Sequence, residues 1–393
     1  MPDRNRIRPV AYGLAFYFLL SVLDTLNISA VGSFLKIAAL VPLGMMIFQV
    51  KDLRVKFHSL LVTQVAFWLL AMVSLFYTVS FDRTFSADTT LTLNLMLVLA
   101  LGVMVPYNRE ELDLLQKAML WGCWLQILLT LIFADYSAGG RLTLRFGASD
   151  QDQNNNNTYF LYAFSWHCYR LLTGKDKKQI IPVLVMLTMV LLSGSRGALV
   201  AFALVFFFHI CIYFGKSRHA LRKIFAIAVV MIIVALSFDF ILGLLPESVS
   251  MRFTLEYLEE KGTTGRSKTW AFLWEHFKNS NMLRMLFGNG YGTTSLINEI
   301  KHRVAHNLYL DNLITLGIVG VLLQLTSQGT VLHIFRKHRK YELMGAFIGM
   351  MGMCLSLSLT ASKPIWNMML IALALDCNPV ALGAPAKKQE NQL

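Results

Sequence analysis

Residues 180–215 read IIPVLVMLTMVLLSGSRGALVAFALVFFFHICIYFG. Two apolar runs flank Ser193-Gly194-Ser195-Arg196-Gly197. As helices rising about 1.5 Å per residue, the second is about the length that crosses a hydrocarbon layer about 30 Å thick, and the first, at about 20 Å, is the shorter of the pair. The pair therefore reads as a helical hairpin in a bilayer. The glycines allow a tight reversal, and Ser193 and Ser195 are placed to cap the next helix. Arg196 stands at the tip of the hairpin. An ionisable side chain at that depth is costly, so it has an ionic partner or a task. The alternative is an arginine that snorkels to headgroup phosphates.

Working outward, the same pattern fills the chain. Its 393 residues are 55% hydrophobic and 15% charged, with a mean hydropathy of +0.53. Those values exclude an ordinary soluble domain. Twelve apolar runs predict twelve membrane-spanning helices, at about 10–27, 30–49, 58–78, 89–106, 114–134, 156–172, 180–194, 197–215, 223–244, 306–328, 343–361 and 365–381. The expected fold class is all-α. The net charge of +13 gathers in short loops rather than in a basic–aromatic motif, so nucleic acid is not an expected partner.

Loop charge predicts orientation. The N-terminus, Lys51 to Lys56, Arg109 to Asp113, Lys175 to Lys178, Lys216 to Lys223 and Arg336 to Lys340 alternate with loops of lower charge density. Placing the basic set in the cytoplasm puts both termini inside and residues 245–305 outside. The first run reads as a retained span, since no small-residue cleavage site follows it in time. Cys123, Cys168, Cys211, Cys354 and Cys377 all fall in apolar runs, which excludes a disulfide framework or zinc spacing and predicts small buried fillers. No repeat is visible. The organisation is lopsided: residues 1–244 with nine spans, an extracytoplasmic loop at 245–305, then 306–393 with three spans and a short tail. Such a layout favours an enzyme with a catalytic loop over a carrier.

Inside the large loop, Thr264 to Asn279 reads as a short helix capped by Thr264. Trp270, Leu273, Trp274 and Phe277 recur along one face, and the tryptophans favour the headgroup zone. Arg266 and Lys268 would occupy the first turn, where a cation is unfavourable unless an anion binds. Pairing of Arg266 with Glu259 or Glu260 is the alternative. Phe287-Gly288-Asn289-Gly290-Tyr291-Gly292 lacks dinucleotide spacing and reads as a turn that lets backbone approach another group. Arg303 and His306 lie about one helical turn apart at the entrance to the tenth run. His306 reads either as a cap or as a catalytic group.

These elements, in this order, resemble the superfamily of bacterial O-antigen ligases and polysaccharide polymerases, integral-membrane glycosyltransferases. The likeness covers about 150–345. It rests on Leu192-Ser193-Gly194-Ser195-Arg196-Gly197, Gly265-Arg266 with Trp270, Phe287 to Gly292, and His306-Asn307 with Tyr309-Leu310, followed by Leu316 to Gly320. The resemblance implies a C-type glycosyltransferase fold and an undecaprenyl-diphosphate-linked glycan donor. It also implies an acceptor glycan or glycolipid, inversion at the anomeric carbon, and no metal or other cofactor.

As the resemblance has it, Arg196, Arg266 and His306 are catalytic, while Arg303, Asn307, Tyr309, Trp270 and Asn154 contact substrate. One departure concerns Asn154. The family commonly has Asp-Pro-Asn where this chain has Asp152-Gln153-Asn154, extended to Asn157, so helix capping stands beside a glycan contact there. Physically, a departing diphosphate leaves charge that fixed guanidiniums can stabilise. His306 would accept the acceptor's proton or orient its hydroxyl. The expected activity is polysaccharide polymerisation in the bacterial cytoplasmic membrane. Transfer of a finished glycan to lipid A–core or protein is the alternative, and transport of an anionic or lipid-linked solute is a third reading. A chain-length regulator and a flippase are expected partners of a polymerase.

Overall fold

The computed structural model describes residues 7–24, 27–28, 32–54, 56–135, 140–146, 149–150, 153–174, 176–215, 225, 238–254, 256–257, 266–298 and 304–377. Helices make up nearly all of it: α1 (Pro9–Leu20), α2 (Phe34–Met46), α3 (Ser59–Ser74), α4 (Phe81–Leu97), α5 (Arg109–Ile132), α6 (Gln153–Thr173), α7 (Ile180–Leu192) and α8 (Arg196–Gly215) come first. Then follow α9 (Arg266–Lys278), α10 (Met282–Phe287), α11 (Leu308–Lys337), α12 (Tyr341–Cys354) and α13 (Lys363–Asp376). The strands are two to four residues long and form only small antiparallel hairpins between helices. The fold class is all-α, as the apolar runs require.

Among the described residues, five helical stretches are long and apolar enough to cross a membrane: Phe34–Asp52, Phe81–Met104, Arg109–Ile132, Arg196–Gly215 and Leu308–Lys337. In a bilayer every backbone polar group must be satisfied within the segment, which is why apolar runs of this length form helices. Many of their large side chains, such as Phe207, Leu40 and Trp121, face outward. That is the surface expected of a bundle whose solvent is lipid. The protein is an all-α integral membrane protein.

Most sequence-read spans have a helical counterpart. The fourth starts earlier than 89, at Phe81, and passes into a wider π turn at Val98–Met104. The ninth, 223–244, falls mostly outside the described residues. Four of the five cysteines are buried, but Cys211 on α8 is exposed, so the expectation of five buried fillers is corrected there.

Polar side chains tie helices to one another inside the bundle. Gln64 on α3 donates to Ser327 on α11 at 2.5 Å, and Trp68 on α3 donates to Thr92 on α4 at 2.8 Å. Such bonds specify which helices neighbour which, because lipid tails supply no hydrophobic preference for one partner. At one end of the bundle Asp376 accepts from Lys337 at 2.6 Å and meets His58 at 2.9 Å and His338 at 2.6 Å. This cluster around Asp376 marks that end.

The opposite end holds the principal surprise. Tyr309 on α11 donates to the Gln328 side chain at 3.1 Å, although nineteen residues separate them. In a straight helix they would lie about 28 Å apart at about 1.5 Å per residue. The helix is broken at Gly317, whose φ of 67° and ψ of −166° reverse the chain direction. A 308–316 limb therefore folds back at an acute angle beside the 318–337 limb. The expected single span at 306–328 is corrected to two limbs. Only the second, about 30 Å long, matches a bilayer.

Candidate functional site

The turn between α7 and α8 is built by the residues around it. Asn157 donates to the Ser193 hydroxyl at 2.8 Å, and the Ser195 hydroxyl donates to the Asn154 side chain at 2.5 Å. The Ser195 hydroxyl also accepts from the Ala198 amide at 3.2 Å, capping α8. Asn156 accepts from Gln126 of α5 at 3.0 Å. The asparagine run at the start of α6 thus fastens the Ser193–Ser195 turn to the bundle. Asn154 is placed against the turn, one residue from Arg196.

Two further arginines reach the same turn. Arg141 donates through Nε to the Ser193 carbonyl at 2.7 Å, and Arg252 through Nε to the Gly194 carbonyl at 3.1 Å. Gly194 has a φ of 59°, and a Cβ there would lie 3.0 Å from Arg252 Cδ. Glycine is needed both for the left-handed backbone and for the close approach of the guanidinium stem. Arg196 and Arg252 share the ring of Tyr257, with guanidinium carbons 6.0 Å and 5.8 Å from its centroid.

The second cluster lies around the broken helix. α9 packs Leu273 and Phe277 against Ala305 and Ile314, and Trp274 stacks on Phe277. The Trp270 indole N–H donates to the Ala305 carbonyl at 2.7 Å, next to His306. His306 has a φ of 49°, uncommon for a residue with a Cβ. Asn307 caps α11, its side-chain oxygen accepting from the amides of Tyr309 and Leu310 at 3.1 Å each. The capping role read at this helix start thus belongs to Asn307. Arg266 opens α9, one turn before Trp270. Thr264, Glu259, Glu260 and Arg303 lie outside the described residues.

The Gly288–Tyr291 loop completes the break in α11. The Asn289 and Gly290 amides donate to the Ile314 and Thr315 carbonyls at 3.0 Å each, and the Asn289 side chain adds a bond to Ile314 at 2.9 Å. A reversed helix leaves carbonyls without intrahelical donors, and this loop supplies them. On its other side Val79 donates to the Asn289 carbonyl at 3.1 Å, and the Tyr291 amide donates to Ser74 at 3.0 Å. The backbone approach read from the glycines is made to another part of the chain. Asp311 sits buried beside Thr294 and Ser358 on the same limb.

The loop between α12 and α13 brings the two clusters to one end of the bundle. A Cβ on Gly197 would meet Ser356 Oγ at 2.5 Å, and Thr360 bonds Asn312 at 3.2 Å. Four residues from Ser356 to Thr360 reach at most about 14 Å. Arg196 and Asn154 therefore group on one side of this loop, and Trp270, His306, Asn307 and Tyr309 on the other. On the far turn of α9, Lys278 holds the Glu275 carboxyl below the usual carboxylate range. Arg141, Arg252 and Tyr257 were not singled out from sequence. Arg141 follows two glycines and Arg252 sits in a long loop, so nothing local distinguishes them from solvated cations.

Such an end, with guanidiniums on one side and an imidazole on a tethered limb on the other, suits transfer between an anionic donor and a hydroxyl acceptor. No curated protein matches the chain. Residues 181–325 match the family model described as O-antigen ligase. That segment begins in α7, includes the Arg196 turn, α9 and His306, and ends in the second limb of α11. Over this segment, well under half of its length, the chain is similar to the O-antigen ligase family, as the short motifs around Arg196, Arg266 and His306 led one to expect.

Proposed function

We propose that the protein is a glycosyltransferase that moves a glycan from an undecaprenyl-diphosphate-linked donor to an acceptor sugar, acting as a polysaccharide polymerase. The observation that carries this reading is the meeting of the Arg196 turn and the His306 limb at one end of the bundle, within the segment that matches the family. Arg196 and Arg266 stabilise the charge that develops on the diphosphate oxygens as the glycosidic bond breaks. Fixed guanidiniums in a partly dry site act in the role that a divalent cation fills elsewhere. His306 accepts or orients the proton of the acceptor hydroxyl, and attack from the face opposite the leaving diphosphate inverts the anomeric carbon. Asn154, Trp270, Asn307, Tyr309 and Arg303 line or shape the glycan path.

The same reading places the site on the outer face of the bacterial cytoplasmic membrane, with twelve spans and both termini inside. The 245–305 loop, with α9, then forms the catalytic loop between nine and three spans. Arg336, Lys337, Arg339 and Lys340 at the opposite end support a cytoplasmic location for it, by the positive-inside rule. The second reading is a ligase, to which the family match is equally suited. The two differ in acceptor: another lipid-linked repeat unit for a polymerase, lipid A–core or a protein for a ligase.

The deciding experiment uses the purified protein in detergent, without a membrane potential, given undecaprenyl-diphosphate-linked repeat units alone or with lipid A–core. A ladder from repeat units alone is the expected result. A single transfer that needs lipid A–core would replace polymerase by ligase. Absence of any glycan transfer, with uptake of solute by proteoliposomes, would overturn the enzyme reading.

A further inference from the structure

We propose that Arg252 is a substrate-binding residue that clamps the donor's diphosphate together with Arg196, an inference that rests on the donor assigned above. Both guanidinium carbons lie within 6.0 Å of one ring centroid, that of Tyr257, so they are at most about 12 Å apart. Arg252 uses its Nε–H on the Gly194 carbonyl. A guanidinium has five donors in a rigid fork, and among the described residues its four Nη donors are left for a second partner. Arg141 anchors the neighbouring Ser193 carbonyl through its own Nε. The Gly194 turn thus holds two guanidinium planes in fixed positions beside Arg196.

Preorganised guanidiniums of this kind match a diphosphate, which offers several oxygens to separate forks. A lone phosphate would engage fewer of them. Tyr257 serves as a shared platform that orients both planes by cation–π contact. The competing account makes Arg252 a prop for the turn, whose only task is to satisfy the Gly194 carbonyl.

Arg252→Gln separates the two accounts, because a neutral amide can still donate to that carbonyl but carries no charge. Wild type, Arg252→Gln and Arg252→Lys are placed in nanodiscs, and binding of undecaprenyl diphosphate and undecaprenyl monophosphate is measured alongside thermal melting. Arg252→Gln is expected to melt like wild type, yet bind the diphosphate at least about tenfold more weakly, the loss expected for a charge-assisted hydrogen bond. The monophosphate should lose less. Arg252→Lys should recover only part of the affinity, since it lacks the planar fork. Diphosphate affinity within twofold of wild type in Arg252→Gln would overturn the inference and leave the donor assignment standing. If wild type binds neither lipid, the donor assignment itself fails. A lowered melting temperature with affinity lost equally for both lipids would make Arg252 a prop.

Discussion

The Trp270 indole and the Ala305 carbonyl are joined by a 2.7 Å hydrogen bond, which ties the helix that starts at Arg266 to the residue before His306. Ala305 is fully buried, so this carbonyl depends on a protein donor. Trp270→Phe keeps an aromatic ring and removes the donor. The expected cost is about 1–3 kcal/mol of local stability. Glycan transfer should fall further than stability does, because the two halves of the site lose their register. Activity and melting temperature measured on the same preparation test this, and unaltered transfer would show that the tie is dispensable.

His306 sits at a φ of 49°, which glycine adopts freely. His306→Gly should therefore leave stability equal or raised, since non-glycine residues at such angles carry strain of about 1–3 kcal/mol. The same change should lower turnover by about 10²–10⁴-fold if the imidazole is the acid–base group. Thermal melting and initial rates give the two readouts. Full activity in His306→Gly would remove the catalytic assignment and point to Tyr309 or Arg303.

Arg196→Lys should be nearly as damaging as Arg196→Ala, and the same holds at Arg266. Lysine preserves charge but not the planar fork that grips two oxygens at once. Transfer rates per amount of membrane-inserted protein provide the comparison. Strong rescue by lysine would mean that charge alone is needed. The same assay run in excess EDTA should show undiminished turnover, and restoration by one divalent ion after loss would assign the cation role to a metal.

Gly317→Ala should be far more harmful than Gly44→Ala. A Cβ at Gly317 would fall 2.3 Å from the Leu286 carbonyl carbon at a φ of 67°, whereas nothing lies within 4 Å of one at Gly44. The expected cost is more than about 3 kcal/mol, from strain and backbone overlap together. Yield of monodisperse protein in detergent reports it. Equal yields would contradict the reversed limb.

Orientation is open to labelling. In a cysteine-free background, Asn279→Cys on the exposed turn after α9 should react with a membrane-impermeant reagent in intact cells. Reaction only after the membrane is breached would place the site on the cytoplasmic side.

Much of this was legible from residue order. Apolar runs interrupted by Ser193 to Gly197 and by basic loops set an all-α membrane bundle, since bilayer thickness alone dictates the length of a spanning helix. The short motifs around Arg196, Arg266 and His306 also pointed to the family, because each combines a helix end with a polar side chain in an apolar context. Of the four residues that the α9 periodicity put on one face, Leu273 and Phe277 are buried, Trp270 is partly buried and Trp274 is half exposed.

What the sequence could not decide is how distant pieces meet. The Leu308–Lys337 run has the hydropathy of one straight span, and only the positive φ of Gly317 and the Tyr309–Gln328 bond reveal that it doubles back. A glycine permits a reversal without requiring one. The reversal is fixed by the Gly288–Tyr291 loop, whose amides satisfy the freed carbonyls from across a sequence gap. Arg141 and Arg252 likewise became part of the Arg196 turn through bonds spanning 52 and 58 residues. Local periodicity determines which segments enter the membrane. Long-range satisfaction of backbone groups, which has no period in the sequence, decides which side chains share the site.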